Sequence, residues 1–542
     1  MSRFNTRATR PAVHSPVTTT GEQARTHEGG AGHLRDAKSE LFLLAVSNFV
    51  GQDVFYEKGG QRDDRYTQLI RSLAVEDPDW CVDFLRWLRG EANMRTASLV
   101  GAAEFTAERI LQNAPGFGRQ AIDAVLQRAD EPGEMLGYWT SKYGRKLPKP
   151  VKRGIADAVQ RLYNERSLLK YDTDSKGYRF GDVLNLVHAA PADGKAWQGD
   201  LFKHALDRRH GGEDEIPTTL KTLRRRDELA AWPIEDRRKM VERHDLAPTL
   251  EAAGMTWEAL AGWLQGPMDA AAWEAVIPSM GLMALARNLR NFDEAGVSDE
   301  VAAQICARFA DAEQVAKSRM FPFRWWAAYK HAPSLRWAHA LEQALGHSLA
   351  NVPRLKGSTL ILVDRSPSMF PGYHFSTDNT SDITLAEQAA VFGSALALRA
   401  EKPTLVEFGG NSRKLDVVKG GSILKHIEAF GANDGTDIPT AVKKHWFAHD
   451  RIVIVTDEQT RPGYLPSNMH RYGGMQETAI DDLVPKNVPV YMWNMAGYKP
   501  GAMPSGRAGR HTFGGLTDQA FRLIPLLEAG RDADWPWMQT AA

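Results

Sequence analysis

Asp364, Ser366 and Ser368 place one carboxylate and two hydroxyls at alternate positions, directly after the aliphatic and β-branched run Thr359, Leu360, Ile361, Leu362 and Val363. Such a run reads as a buried strand, and a strand that stops in a polar loop is where α/β sheets gather ligands. From a tight loop the three oxygens can turn toward one point, which suits a hard octahedral cation such as Mg²⁺. An ordinary turn explains the pentapeptide about as well, so other loops at the same sheet edge must decide. Two offer oxygens: Thr436 follows Gly435 at the start of a helical stretch, and Asp457 follows the strand RIVIVT. The competing roles are a helix N-cap for Thr436 and a loop cap or surface ion pair for Asp457. Arg365 lies inside the pattern and would weaken a cation site if its side chain turned inward. Neither a G-x-S-x-G elbow nor a G-x-x-x-x-G-K-[ST] loop surrounds the serines, and no histidine is placed to act as their base, so the expectation is a binding site and not an enzyme.

A second set of residues has the charge for phosphate. Lys142, Arg145, Lys146, Lys149, Lys152 and Arg153 crowd one segment, with Arg161, Arg166 and Lys170 following. The spacing of Lys149, Lys152 and Arg153 puts them on one helical face, where they can neutralise several phosphates without reading sequence. A solvated basic face is the alternative. His188 can stack on an unpaired base or donate to phosphate, yet Leu184, Leu186 and Val187 around it also fit a core histidine. Arg224, Arg225 and Arg226, then Arg237, Arg238 and Lys239, form two further clusters. Phe321, Phe323, Trp325 and Trp326 read as helix core, and Arg287 with Asn288 as an inter-helix turn.

The elements that must position these groups change character along the chain. At 542 residues it is too long for one core. Lys plus Arg equals Asp plus Glu at 67 each, so any surface for nucleic acid must be local. Cys81 and Cys306 are too few for a disulfide framework or structural zinc and read as core residues of a cytoplasmic protein. No stretch approaches the ~20 apolar residues of a membrane span, and no signal peptide is recognisable. Residues 1–33, rich in Ser, Thr, Gly and Arg, read as a flexible tail. From 34 to 355 amphipathic helices follow one another, among them AKSELFLLAVSNFV, WCVDFLRWLRGE and VAAQICARFAD, without a strict period; this predicts an irregular α-helical solenoid. From 356 to 542 strands such as TLILVD, TLVEFG, RIVIVTD and VPVYMWN alternate with helices, which predicts a parallel sheet of Rossmann-like topology.

The D-x-S-x-S, Thr and Asp order resembles the metal-ion-dependent adhesion site of von Willebrand factor A domains. That likeness implies coordination of Mg²⁺ or another divalent cation by Asp364, Ser366, Ser368 and Thr436, with Asp457 direct or through water. It also implies an acidic protein ligand as a possible occupant of the open positions. The stretches RKLPKPVKRGIADAV, YRFGDVLNLVHAAP, MGLMALARNLRNF and SRMFPFRWWAAYK, together with DRSPSM, GTD and VTDEQT, resemble the TROVE module of Ro ribonucleoproteins over most of residues 35–540. The resemblance implies a HEAT-like helical ring closed by the von Willebrand factor A domain. It implies binding of Y-type noncoding RNA and of single-stranded ends of misfolded RNA, a place beside an exoribonuclease, and an RNA role for His188. Asp172 and Asp174 depart from the basic character of relatives there and are expected to repel phosphate. A cation-dependent protein-interaction module without RNA specificity is the alternative.

Overall fold

The computed structural model describes residues 13–47, 49–212, 215–241, 246–332, 334–350, 352–370, 383–466 and 475–538. The chain divides into two compact units. One is residues 70–319 with 331–341, and the other is 1–69 with 320–330 and 342–542.

The first unit is helical. Its helices pack on the next but one as well as on the next: Pro78–Gly90, Gly118–Val125, Lys149–Leu162 and Phe180–Val187 form one row, and Arg95–Leu111 and Glu131–Tyr143 part of another. This is how an α-solenoid buries amphipathic faces, because each helix covers the stripe its neighbour cannot cover alone. Helix Lys149–Leu162 shows the pattern, with Val151, Ile155, Ala158 and Val159 buried and the basic residues outside. Gly154 is required there, since an added Cβ would lie 2.7 Å from both the Arg119 carbonyl oxygen and the Ile122 side chain. Cys81 is sealed in this unit, whereas Cys306 is only half-buried. Among the described residues no helix is long and apolar enough to cross a membrane.

The second unit is built on a six-stranded sheet. A hairpin of β1 (Thr19–Arg25) and β2 (Ala31–Arg35) precedes it; the sheet strands are β3 (Leu355–Asp364), β4 (Ala400–Phe408), β5 (Ser412–Leu415), β6 (Arg451–Thr456), and, after the small hairpin β7 (Gly463–Pro466) and β8 (Met475–Thr478), β9 (Val490–Asn494) and β10 (Arg510–Gly514). The order is β10-β9-β6-β3-β4-β5, parallel except for β5 at the edge. Central β3 pairs Leu362 with Val406 on one side and Ile454 on the other. Alternation separates two cores. Leu360, Leu362, Ile452, Ile454 and Met492 pack with Ile438 and Val442 of helix Ile438–His445. On the other face helix Leu385–Arg399 lies against β3, with Phe392 on Trp493 and Phe521. Helices on both faces are what parallel strands require, and the strands accordingly read as unbroken aliphatic runs.

The expectation of a flexible tail over 1–33 needs correction. Residues 1–12 lie outside the described residues, but 13–33 contain β1 and most of β2 and belong to the sheet unit. The hairpin was hidden because β1, TTGEQAR, is exposed on most positions and so lacks an apolar alternation. Helix Ala37–Ser47 also belongs to this unit, where it packs on β10. It is buried along nearly its whole circumference, which marks a core helix and not a half-exposed solenoid member. The helix Pro322–Lys330 likewise sits in the sheet unit, with Phe323, Trp325 and Trp326 buried as the sequence suggests.

Candidate cation site and basic face

The carboxyl ends of β3 and β6 bring the predicted oxygens together. Asp364 closes β3 and Asp457 follows β6; both side chains are fully buried. Asp364 accepts from the Ser366 backbone N–H at 2.8 Å and from the Thr456 hydroxyl, while the Ser366 and Ser368 hydroxyls lie 3.2 Å apart. Asp457 Oδ1 accepts from the Gln459 N–H at 3.0 Å, and Oδ2 is buried with no hydrogen-bond partner. Burial pushes both carboxyls above the ordinary carboxylate range; for Asp457 the Asp364 carboxylate adds to this, and the Ser368 hydroxyl opposes it.

Thr436 is buried on the third loop. Its carbonyl accepts from the Arg461 N–H at 2.8 Å, which ties the loop to the one carrying Asp457. The N-cap of helix Ile438–His445 is Asp437, whose carboxylate accepts from the Thr440 N–H, so Thr436 is not spent on capping. Arg365 turns away from the oxygens: it donates to the Gly431 and Ala386 carbonyls and its guanidinium lies over Phe370 and Phe430. Two buried carboxylates, one of whose oxygens is orphaned, and the Ser366, Ser368 and Thr456 hydroxyls form a donor set of oxygens alone, which fits a hard divalent cation. Among the described residues no group of three or more His, Cys, Asp or Glu gathers as a conventional metal cluster.

Sequence reasoning missed what holds the Asp457 loop. Glu458 is fully buried with φ of +67°, a left-handed conformation rare for a non-glycine residue. Its carboxylate accepts from Arg35 at 2.6 Å, from the Asn494 amide at 2.7 Å and from the Ala502 N–H at 2.9 Å. Two residues further, the Thr460 carbonyl accepts from Gly30 N–H at 3.1 Å and from the Thr26 hydroxyl at 2.5 Å. Gly30 cannot carry a side chain, since a Cβ would sit 2.4 Å from that carbonyl oxygen. The N-terminal hairpin is therefore the support of the loop that presents Asp457. An acidic residue after Asp457 was visible; its arginine partner, 423 residues away, was not.

In the helical unit, Arg145, Lys146, Lys149 and Arg153 are exposed and Lys152 half-buried, and none of them makes an ion pair with a described residue. Helix Lys149–Leu162 has no acid in its first turn, so these cations sit at the positive end of the helix, an arrangement that opposes its stability and attracts anions. Lys142 differs: it pairs with buried Glu104 at 2.8 Å. Arg161 is likewise held by Asp123. His188 is exposed, not core; it ends helix Phe180–Val187 in the left-handed conformation, φ 56°. The Gln160 amide donates to the Ala190 carbonyl at 2.9 Å, which places the His188 loop beside the basic helix, about 12 Å along it from Lys152 at ~1.5 Å per residue. Lys170 lies in the last turn of a different helix, Glu165–Tyr171, and its ammonium faces the Tyr171 ring.

Arg179 offsets part of the negative charge expected at Asp172 and Asp174. Its guanidinium pairs with Asp172 at 2.9 Å and with Asp174 at 2.7 Å, and buried Asp172 also accepts from the Phe180 N–H. The two later clusters are largely consumed in structure. Arg226 holds the Ala253 and Gly254 carbonyls, Arg237 those of Ala230, Trp232 and Trp263, and Arg225, Arg238 and Lys239 are in ion pairs. Asn288 orders a turn as expected, donating to the Ala284 carbonyl at 2.8 Å.

The described residues thus combine a solenoid-like helical unit with a six-stranded, mostly parallel sheet unit that carries an oxygen-rich rim. Residues 253–338 match the TROVE domain family. The fold is similar to the crystal structure of the Deinococcus radiodurans Ro (Rsr) protein, with a TM-score of 0.60 and 16% identity, over 91% of this chain and 100% of that one. No curated protein sequence matches the chain. At that identity the likeness shows a shared fold, and the family match covers residues 253–338.

Proposed function

We propose that this protein binds small Y-type noncoding RNA and the single-stranded ends of structured or misfolded RNA, and serves as a non-enzymatic scaffold in cytoplasmic RNA quality control beside an exoribonuclease. The observation that carries the reading is the unpaired basic group on Lys149, Lys152 and Arg153, with Arg145 and Lys146 before it, at the start of a helix that lacks acids. Such a group binds phosphate by releasing counterions, so affinity should fall steeply as salt rises. The test is equilibrium binding of a structured RNA with a free single-stranded end across a salt series. Charge reversal of Lys149, Lys152 and Arg153 should weaken binding and flatten the salt dependence. No binding at low salt, or binding indifferent to the reversal, sinks the reading.

The sheet unit would hold a divalent cation, Mg²⁺ by the oxygen chemistry, through Asp364, Ser366, Ser368, Thr436 and Asp457. When bound, the ion supplies a positive charge that neutralises two buried carboxylates and can take a further acidic ligand. The orphaned Asp457 oxygen supports this second role, a docking point for a partner's carboxylate. Asp364→Ala should then abolish partner capture and leave RNA binding unchanged.

A further inference from the structure

The helical unit contains a cavity of about 580 Å³ whose lining includes Lys170, Trp257, Glu258, Leu282, Met283 and Arg287. That size falls in the range of small-ligand sites, roughly 300–1,000 Å³. Its chemistry sets it apart from the neighbouring basic clusters, whose charges are consumed. Arg287 is exposed, neither it nor Lys170 makes an ion pair with a described residue, and the Lys170 ammonium lies 5.2 Å from the Tyr171 ring. Glu258 is exposed and equally without a partner among the described residues.

The apolar wall is fixed. Trp257 packs on buried Trp273 with ring centroids 5.6 Å apart, and Trp273 meets Phe292 edge-on at 5.0 Å. Facing solvent in the same cavity is Met283, a large apolar side chain that is 48% exposed. Buried Asn288 in the lining is held by donating to the Ala284 carbonyl and accepting from the Asn291 amide at 2.7 Å.

An indole packed on Trp273, an adaptable thioether, two cations without a carboxylate partner among the described residues and one carboxylate suit a ligand that is flat and apolar on its faces, anionic at one end and able to donate from its edge. A nucleobase with its phosphate has those three properties: the ring stacks, the exocyclic amine can donate to Glu258, and the phosphate meets the cations. We propose that this cavity takes one nucleoside phosphate unit, its base on Trp257 and its phosphate between Lys170 and Arg287. For an unpaired nucleotide of bound RNA as the source, the inference rests on the RNA-binding reading; a free nucleotide presents the same chemistry.

The experiment uses the full chain, a hairpin RNA with a short unpaired tail, the same hairpin made blunt, and nucleoside monophosphates. The tail should tighten wild-type binding. Trp257→Ala should weaken the tailed RNA by roughly 5- to 150-fold, the range of one lost base–aromatic stack, and leave the blunt RNA unchanged. Trp257→Phe should keep most of the tail's benefit, and Arg287→Gln, on an exposed side chain, should lose part of it without affecting folding. An unchanged ratio of tailed to blunt binding in Trp257→Ala and Arg287→Gln overturns the pocket and leaves the RNA reading standing. Monophosphate binding that is lost in Trp257→Ala, with no wild-type binding of either RNA, keeps the pocket as a free-nucleotide site and overturns the RNA reading. Wild-type protein that binds neither RNA nor monophosphate overturns both.

Discussion

Arg35 and Glu458 form an ion pair at 2.6 Å in which the two side chains are 1% and 0% exposed, and through it the second strand of an N-terminal hairpin grips the loop that carries Asp457. Removing one member of a buried pair strands the other charge, which typically costs about 3–5 kcal/mol, whereas replacing both with apolar residues is far less harmful. Arg35→Met should therefore lower the stability of the sheet unit by that amount in denaturant titration. The double variant Arg35→Met with Glu458→Leu should recover a large part of the loss, and strict additivity of the two single changes would refute the pairing.

Acid should loosen the same unit at the other edge of the sheet. His511 in β10 is 1% exposed and its ring lies 2.8 Å from the Ser15 hydroxyl. Burial first, then the charges of Arg510 and His14, pull its pKa down to about 4 from an ordinary value near 6.5. Between those two pH values the unfolded chain binds a proton that the folded chain refuses, so stability falls as pH drops from about 6.5 to about 4 and is flat below. The loss attached to this one group is on the order of 3 kcal/mol. Unfolding curves of His511→Phe should show a correspondingly smaller loss over that window.

Magnesium should raise the melting temperature of the intact protein. An ion bound only by the folded state adds about 2.7 kcal/mol at a hundredfold excess over its dissociation constant. In Asp457→Asn the response to Mg²⁺ should disappear. The same variant should melt higher than wild type in chelator, because it removes a buried carboxylate whose Oδ2 has no partner. A thermal shift in Mg²⁺ equal in both proteins would argue against the site.

Arg179 should matter to both stability and RNA. Asp172 is buried and held by Arg179 at 2.9 Å, so Arg179→Gln leaves a carboxylate without its main counter-charge. The helical unit should lose about 3 kcal/mol or more. RNA affinity should fall as well, since Asp172 and Asp174 would lose the positive charge that now offsets part of their field, and the added mutation Asp174→Asn should restore part of the affinity.

The sheet was legible where burial is total. Strands β3 and β6 lie between neighbours on both sides and under helices on both faces, so they read as TLILV and RIVIV and point directly to Asp364 and Asp457. Strand β10 was missed because its five residues, RHTFG, bury an arginine and a histidine that look like surface residues in sequence. The Asp364 and Asp457 loops were legible because each follows a strand with a strong local pattern. Thr456, which donates to Asp364, and Arg35, which anchors Glu458, were not, because nothing local distinguishes them from any other strand-end threonine or hairpin arginine. The basic helix was found from charge spacing, yet charge alone could not separate Arg153, left free, from Arg161, held by Asp123.

The hairpin's grip on the Asp457 loop also sets an order of events during synthesis. Arg35 leaves the ribosome long before Glu458 exists, an interval of roughly 20–85 s at about 5–20 residues per second for the 423 residues between them. The helical unit is completed within that wait, while the hairpin that will buttress the sheet has no partner. Nascent chains stalled before β6 should thus expose residues 13–35 to protease, and chains released after β10, which carry Gly501, Ser505 and Gly506 as well, should protect them.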